Sequence, residues 1–300
     1  MTIHEEIRLQ WRTGGAVKRL LFINIGVFLL VQAVGLIGVL SQHPWWEELL
    51  LEQLMGSGFP GVLLRHPWTV ITYMFTHQGV MHILWNMLMF WFSGQLFQGL
   101  LGERRLVGNY VLGGIAGFAV YFLGGLLPPD VNPGAGLPIL GASAAVMSVF
   151  IGIASYQPDM EVGLMFAGQV KLKWVALFML AIDLIAIKQG DNTGGHLAHL
   201  GGALYGFLAA RQLKQGSDWS LAFVNGISRI GGLFGRSSGP RMRVAKRMEQ
   251  RRRVLVDEDF NAARKQKQER VDAILDKISR SGYDSLSKEE REFLFKASKE

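Results

Sequence analysis

Leu20–Leu40 is a run of twenty-one residues without one charged side chain, and five further apolar stretches follow it at short intervals. Backbone N–H and C=O groups in hydrocarbon must be satisfied within the segment, so runs of this kind become helices. About twenty apolar residues cross a bilayer. The later stretches are His82–Leu101, Leu106–Leu127, a short one from near Gly141 to near Tyr156, Leu172–Ile187 and Gly194–Leu213. With 49% hydrophobic residues and a mean hydropathy of +0.22, the chain is too apolar for an average soluble enzyme. The expected fold is an all-α polytopic membrane protein, a six-helix transmembrane bundle with a small helical cytoplasmic tail. The first run is too long for the core of a signal peptide and lacks a small-residue cleavage site, so it reads as a retained helix.

Charge sets the orientation. The segment before the first run holds Arg8, Arg12, Lys18 and Arg19, the turn after the second run Arg104 and Arg105, and the turn after the fourth Lys171 and Lys173. The alternate connections hold Arg65, none, and Lys188. Positive charge favours the cytoplasmic side, so a multi-pass protein of the inner or plasma membrane with both termini cytoplasmic is expected. The domains follow: 1–19 a cytoplasmic segment, 20–213 the six-span domain, 214–260 a basic, glycine-rich linker, 261–300 a helical tail. Residues 41–68 form a long irregular connection in which Trp45–Met55 is short and amphipathic, suited to the membrane interface.

Three segments carry groups capable of chemistry. Ser143 stands at the expected N-terminus of the fourth helix, where free backbone N–H groups and the helix dipole favour negative charge. It can share the depth of His199, about one and a half turns or ~8 Å into the sixth helix, if Pro138–Ala142 dips inward before that helix starts. Irregular backbone at depth is tolerated where it lines a water-filled cavity. His199 lies beside a small-residue face of Ala198, Gly202 and Gly206 that lets a neighbouring backbone come close, and a neutral imidazole there can take a serine proton. His82 and Asn86 share a helix face and can donate to a developing oxyanion. Each also has a bland reading: small residues for packing, polar ones for interhelical hydrogen bonds. His77 reads as a loop anchor and His196 as an interface residue. Asp183, the one acid inside a span, is expected mid-helix and well below His199, so a Ser–His dyad is expected rather than a triad.

No cysteine is present, which excludes disulfides and thiolate chemistry. His77, His82, His196 and His199 were weighed as a zinc cluster, but no His-Glu-x-x-His motif accompanies them; no metal and no cofactor are expected.

Taken together, these motifs resemble the rhomboid family of intramembrane serine proteases, bacterial type. His77, His82 and Asn86 match the pattern His-x-x-x-x-His-x-x-x-Asn; Gly141-Ala142-Ser143-Ala144 matches Gly-x-Ser-x; Gly194, Ala198, His199 and Gly202 match Gly-x-x-x-Ala-His-x-x-Gly. The resemblance covers about residues 17–212. It implies a six-helix bundle with a cavity open to the outside. It implies Ser143 as nucleophile, His199 as general base, and His82, Asn86 and the Ser143 N–H as the oxyanion site. It also implies transmembrane proteins as substrates, with the first loop and helix five governing their access. Ala144 stands where the family often has glycine, Gln98 is the nearest match to a common glutamate, and Trp68-Thr69 replaces a Trp-Arg pair. The alternative is a non-catalytic relative that binds transmembrane clients.

Of 31 Lys and Arg residues, 21 fall at or after Arg211. Beside a membrane domain, this reads as cytoplasmic retention and contact with anionic lipid rather than nucleic-acid binding. Gly226–Gly239 is expected to be flexible. Asn261–Ser279 and the segment after the capping box Ser287-Lys288-Glu289-Glu290 are expected to be helical.

Overall fold

The computed structural model describes residues 2–128, 136–164, 168–190, 192–234, 272–280 and 286–297. It divides into two compact units, Met1–Gly231 and Gly232–Glu300. The first is mostly helical. Its long helices are α2 (Gly15–Leu40), α6 (Val80–Leu101), α7 (Glu103–Gly125), α8 (Ser143–Tyr156), α9 (Leu172–Gln189) and α10 (Thr193–Lys214), which coincide with the six apolar runs. By length and composition, two helices among the described residues are apolar enough to cross a membrane, α2 and α7, with mean hydropathies of 2.5 and 1.7. Large apolar side chains such as Leu36, Leu84, Trp85, Phe178 and Ile185 are exposed around the outside.

The shorter elements add detail to the sequence reading. Ahead of α2, α1 (Ile3–Thr13) is fixed by a capping box between Thr2 and Glu5, so the polar start of the chain is helical. The long first connection contains the expected amphipathic helix, α3 (Trp45–Leu54), followed by α4 (Pro60–Arg65) and α5 (Thr69–Thr72). Between α8 and α9 a two-stranded hairpin, β1 (Glu161–Leu164) and β2 (Gly168–Lys171), pairs Val162 with Val170. This departs from a purely α-helical reading; strands of four residues are too short to show a period. Glycines 226, 231 and 232 lie inside α11 (Trp219–Phe234), where a flexible stretch was expected; the alternation of apolar residues there outweighs the glycine content.

Helix α8 is the centre of the bundle. Every residue from Ala144 to Ala154 is buried, because α7 and α10 close on it through small side chains. Ala198, Gly202 and Gly206 of α10 form the close-packing face expected of them. A Cβ at Gly202 would overlap the Ala144 carbonyl oxygen, and one at Gly206 the Ser148 carbonyl. Where backbones approach this closely, the register between helices is fixed to a fraction of a turn. Polar cross-ties lock the core: Asn109 donates to Ser148 Oγ at 2.9 Å and Asn24 to Tyr110 Oη at 3.1 Å. Gln98 accepts the Val17 N–H at 3.0 Å, tying the end of α6 to the start of α2 with an amide where the resemblance leads one to expect a carboxylate.

Helix α9 packs differently. Only Leu172, Ala176 and Asp183 are buried, while Trp174, Leu177, Phe178, Leu184 and Ile185 face outward.

In the second unit, residues 272–280 are helical and α12 (Lys288–Ala297) begins directly after Ser287, as the capping box predicts. The basic stretch Arg241–Arg253 and the start of the expected helix at Asn261 lie outside the described residues.

Candidate active site

Leu137–Ala142 is non-helical and is held by backbone and side-chain bonds along its length. Ile139 exchanges both backbone hydrogen bonds with Gly56, each at 2.8 Å. The Leu137 carbonyl accepts from Tyr121 Oη at 2.7 Å, and the Gly141 N–H donates to the Tyr73 carbonyl at 2.9 Å. The expected irregular lead-in to helix α8 is therefore present, fastened to the first connection and to α7. At Gly141 φ is +124°, and a Cβ would stand 2.7–2.8 Å from the His82 ring. Glycine is required there twice over, by the backbone conformation and by the imidazole against it. Two residues on, Ser143 opens α8 with no side-chain cap over its first turn, so N–H groups of that turn face the same space as its hydroxyl.

His77 is the anchor that the sequence suggested. It is fully buried and its Nε2 accepts the Ala142 N–H at 3.2 Å. Burial, reinforced by the neighbouring His82, pushes this imidazole from its ordinary 6.5 down to about 4, so it is neutral at pH 7 and its lone pair can accept. The unfolded chain then binds a proton that the folded chain refuses between those values. The stability contributed by His77 is complete above pH 6.5 and is lost as pH falls from 6.5 towards 4. Replacing it by a non-titrating acceptor, His77→Gln, is expected to flatten the acid limb of the melting temperature over that window. A His77→Gln profile parallel to wild type would show that another group governs it.

His82 and Asn86 project from the first turns of α6 into a cavity of about 650 Å³, whose wall also includes Ser143, His199, His196 and Asp183. All four candidate site residues thus share one cavity, contributed by α6, α8 and α10. Asn86 Nδ2 donates to the His82 carbonyl at 2.8 Å, which fixes the amide and leaves its second proton for another acceptor.

Two expectations about the remaining polar groups need correction. Asp183 does not lie below His199: Asp183 Oδ1 is 2.8 Å from His199 Nδ1. Nor is His196 a bystander at the interface, because its Nδ1 is 2.6 Å from the same oxygen. The reason is arithmetic. Asp183 lies six residues before the end of α9 and His199 six residues after the start of α10, so each is about 9 Å from the shared connection at 1.5 Å per residue. Counting residues from the α9–α10 connection, rather than placing Asp183 mid-span, finds the pairing.

Asp183, His196 and His199 have ligand atoms close enough to hold a metal ion. Their spacing suits hydrogen bonds better. The 2.6 and 2.8 Å separations are shorter than the roughly 3.3 Å between ligand atoms of a tetrahedral zinc site with bonds of ~2.0 Å. Treatment with EDTA is therefore expected to leave any activity of the site unchanged; loss on chelation, restored by zinc, would reassign the cluster.

A family model described as Rhomboid domain matches residues 64–215, and one described as a family of unknown function matches residues 255–300. The chain is 27% identical over 157 residues to RHOMBOID-like protein 12, mitochondrial, of Arabidopsis thaliana, covering 49% of this chain and 47% of that protein. It is 26% identical over 134 residues to presenilin-associated rhomboid-like protein A, mitochondrial, of Danio rerio, covering 44% and 34%. With presenilin-associated rhomboid-like protein, mitochondrial, of Mus musculus it shares 30% identity over 140 residues, again covering 44% and 34%. The chain thus spans a third to a half of the length of these curated relatives.

Proposed function

Because the chain belongs to the rhomboid family, we propose that it is an intramembrane serine endopeptidase that hydrolyses peptide bonds of single-span membrane proteins, with Ser143 as nucleophile and His199 as general base. The observation that carries this reading is the convergence of Ser143, His199, His82 and Asn86 from three helices on one cavity. His199 takes the proton of Ser143 as the hydroxyl oxygen attacks the substrate carbonyl carbon. The carbonyl π electrons move to oxygen, and the resulting oxyanion is met by His82, Asn86 and the Ser143 N–H. Collapse of this intermediate expels the amine, which leaves with the proton from His199, and a water molecule admitted to the cavity hydrolyses the acyl-enzyme.

The reading requires six spans. At 1.5 Å per residue, α6, α9 and α10, with 22, 18 and 22 residues, reach about 27–33 Å, enough for a hydrocarbon core of about 30 Å. Each of them carries polar groups that the site needs: His82 and Asn86 on α6, Asp183 on α9, His196 and His199 on α10. Helix α8, with 14 residues, is too short to cross alone, which suits a nucleophile below the surface. Both termini then lie on the positively charged side.

The test is a fluorophosphonate label and a single-span model substrate, both applied to full-length protein in liposomes. Labelling and cleavage by wild type, both abolished in Ser143→Ala, are the expected result. Cleavage that survives Ser143→Ala would overturn the mechanism, and absence of labelling in folded wild type would favour a client-binding protein.

A further inference from the structure

Building on the reading of Ser143 and His199 as nucleophile and base, we infer that Asp183 is the positioning residue of the catalytic base, which makes the machinery a triad spread over α8, α9 and α10. Asp183 Oδ1 stands 2.8 Å from His199 Nδ1, and the Asp183 side chain is only 5% exposed. A carboxylate can only accept, so the imidazole nitrogen facing it carries the proton. That fixes the tautomer of His199: Nδ1 holds hydrogen and Nε2 holds the lone pair that serine chemistry requires.

The second imidazole has a distinct task. His196 Nδ1 lies 2.6 Å from the same Oδ1 and is bound by the same argument to donate. Its hydrogen bond is a second hold on the carboxylate, from a ring whose centroid lies 5.4 Å from that of His199. When Ser143 gives its proton to His199 Nε2, the ring becomes an imidazolium with Nδ1–H still on it, and the negative carboxylate offsets that charge in a poorly solvated site. The proton stays on His199 until the leaving amine takes it from Nε2, and none passes to Asp183. A buried acid on a membrane helix is costly to keep, and its only hydrogen bonds among the described residues go to the two imidazoles.

The experiment compares wild type, Asp183→Asn, His196→Ala and Ser143→Ala as full-length chains in detergent and liposomes, with the single-span substrate. Asparagine has the shape of aspartate but can donate to Nδ1 and so stabilise the wrong tautomer. Asp183→Asn is expected to lower kcat by about 10²–10⁴-fold with KM within threefold, in a protein that still melts cooperatively above the assay temperature. His196→Ala is expected to cost less than Asp183→Asn, because the bond to His199 remains. In wild type, ¹⁵N-histidine NMR should show His199 protonated at Nδ1, a measurement that depends on no variant. Asp183→Asn with kcat within threefold of wild type, or His199 protonated at Nε2 in wild type, would overturn the inference while leaving the dyad intact. Cleavage by Ser143→Ala would instead overturn the reading beneath it.

Discussion

Replacing Ser143 by alanine is expected to lower turnover by about 10⁴–10⁶-fold, and His199→Ala by a similar factor. The double variant should be no worse than either alone. The two groups act as one device: without the hydroxyl there is no proton for the imidazole to take, and without the imidazole the hydroxyl remains a poor nucleophile. Effects of residues that work as a unit do not multiply. Substrate binding should survive in all three variants, because the cavity wall is shared among α6, α8, α9, α10 and the Pro138–Leu140 lead-in, and Ser143 and His199 are a small part of it. The measurement is single-turnover cleavage alongside binding of the same substrate. If the double variant fell by the product of the single losses, Ser143 and His199 would be acting independently and the dyad would fail.

Gly202→Val is expected to be the most damaging change away from the chemistry. Its first carbon would overlap the Ala144 carbonyl oxygen, which is backbone and cannot rotate away. Overpacking a core costs about 1–3 kcal/mol when side chains can adjust; here two helix axes must separate, so the loss should reach or exceed the top of that range. It should also push Ala144, next to Ser143, away from Gly202, three residues after His199, so labelling by the fluorophosphonate falls further than stability alone would require. Gly99→Ala on α6 is the control, because nothing lies within 4 Å of a Cβ there. Equal melting temperatures for wild type and Gly202→Val would disprove the close contact.

Much of this was readable from the chain. Hydrophobic runs marked all six long helices to within a few residues at most ends, since nothing but a helix satisfies a backbone through twenty apolar positions. Ser143, His199, His82 and Asn86 stand out in the sequence as polar groups among apolar ones, and the structure brings them to one cavity. The rotation of α9 was not readable. A helix exposed on most of its surface carries no strong apolar stripe, so only the distance of Asp183 from the α9–α10 connection could indicate its neighbours. The hairpin Glu161–Lys171 was too short for a periodic signal, and α11 was obscured by its glycines. Helix α1 was legible and passed over: Thr2-x-x-Glu5 is a capping box in plain sequence.

From Ala181 to the end of α9, Asp183 is the sole buried residue, whereas Leu172 and Ala176 are both buried in the first turns. Helix α9 is thus buried in its first turns and fastened near its C-terminal end by two hydrogen bonds from imidazoles. Anything that bends the outer half of α9 away must undo the clasp, and with it the orientation of His199. Under the proposed function, opening this wall and arming the base exclude one another.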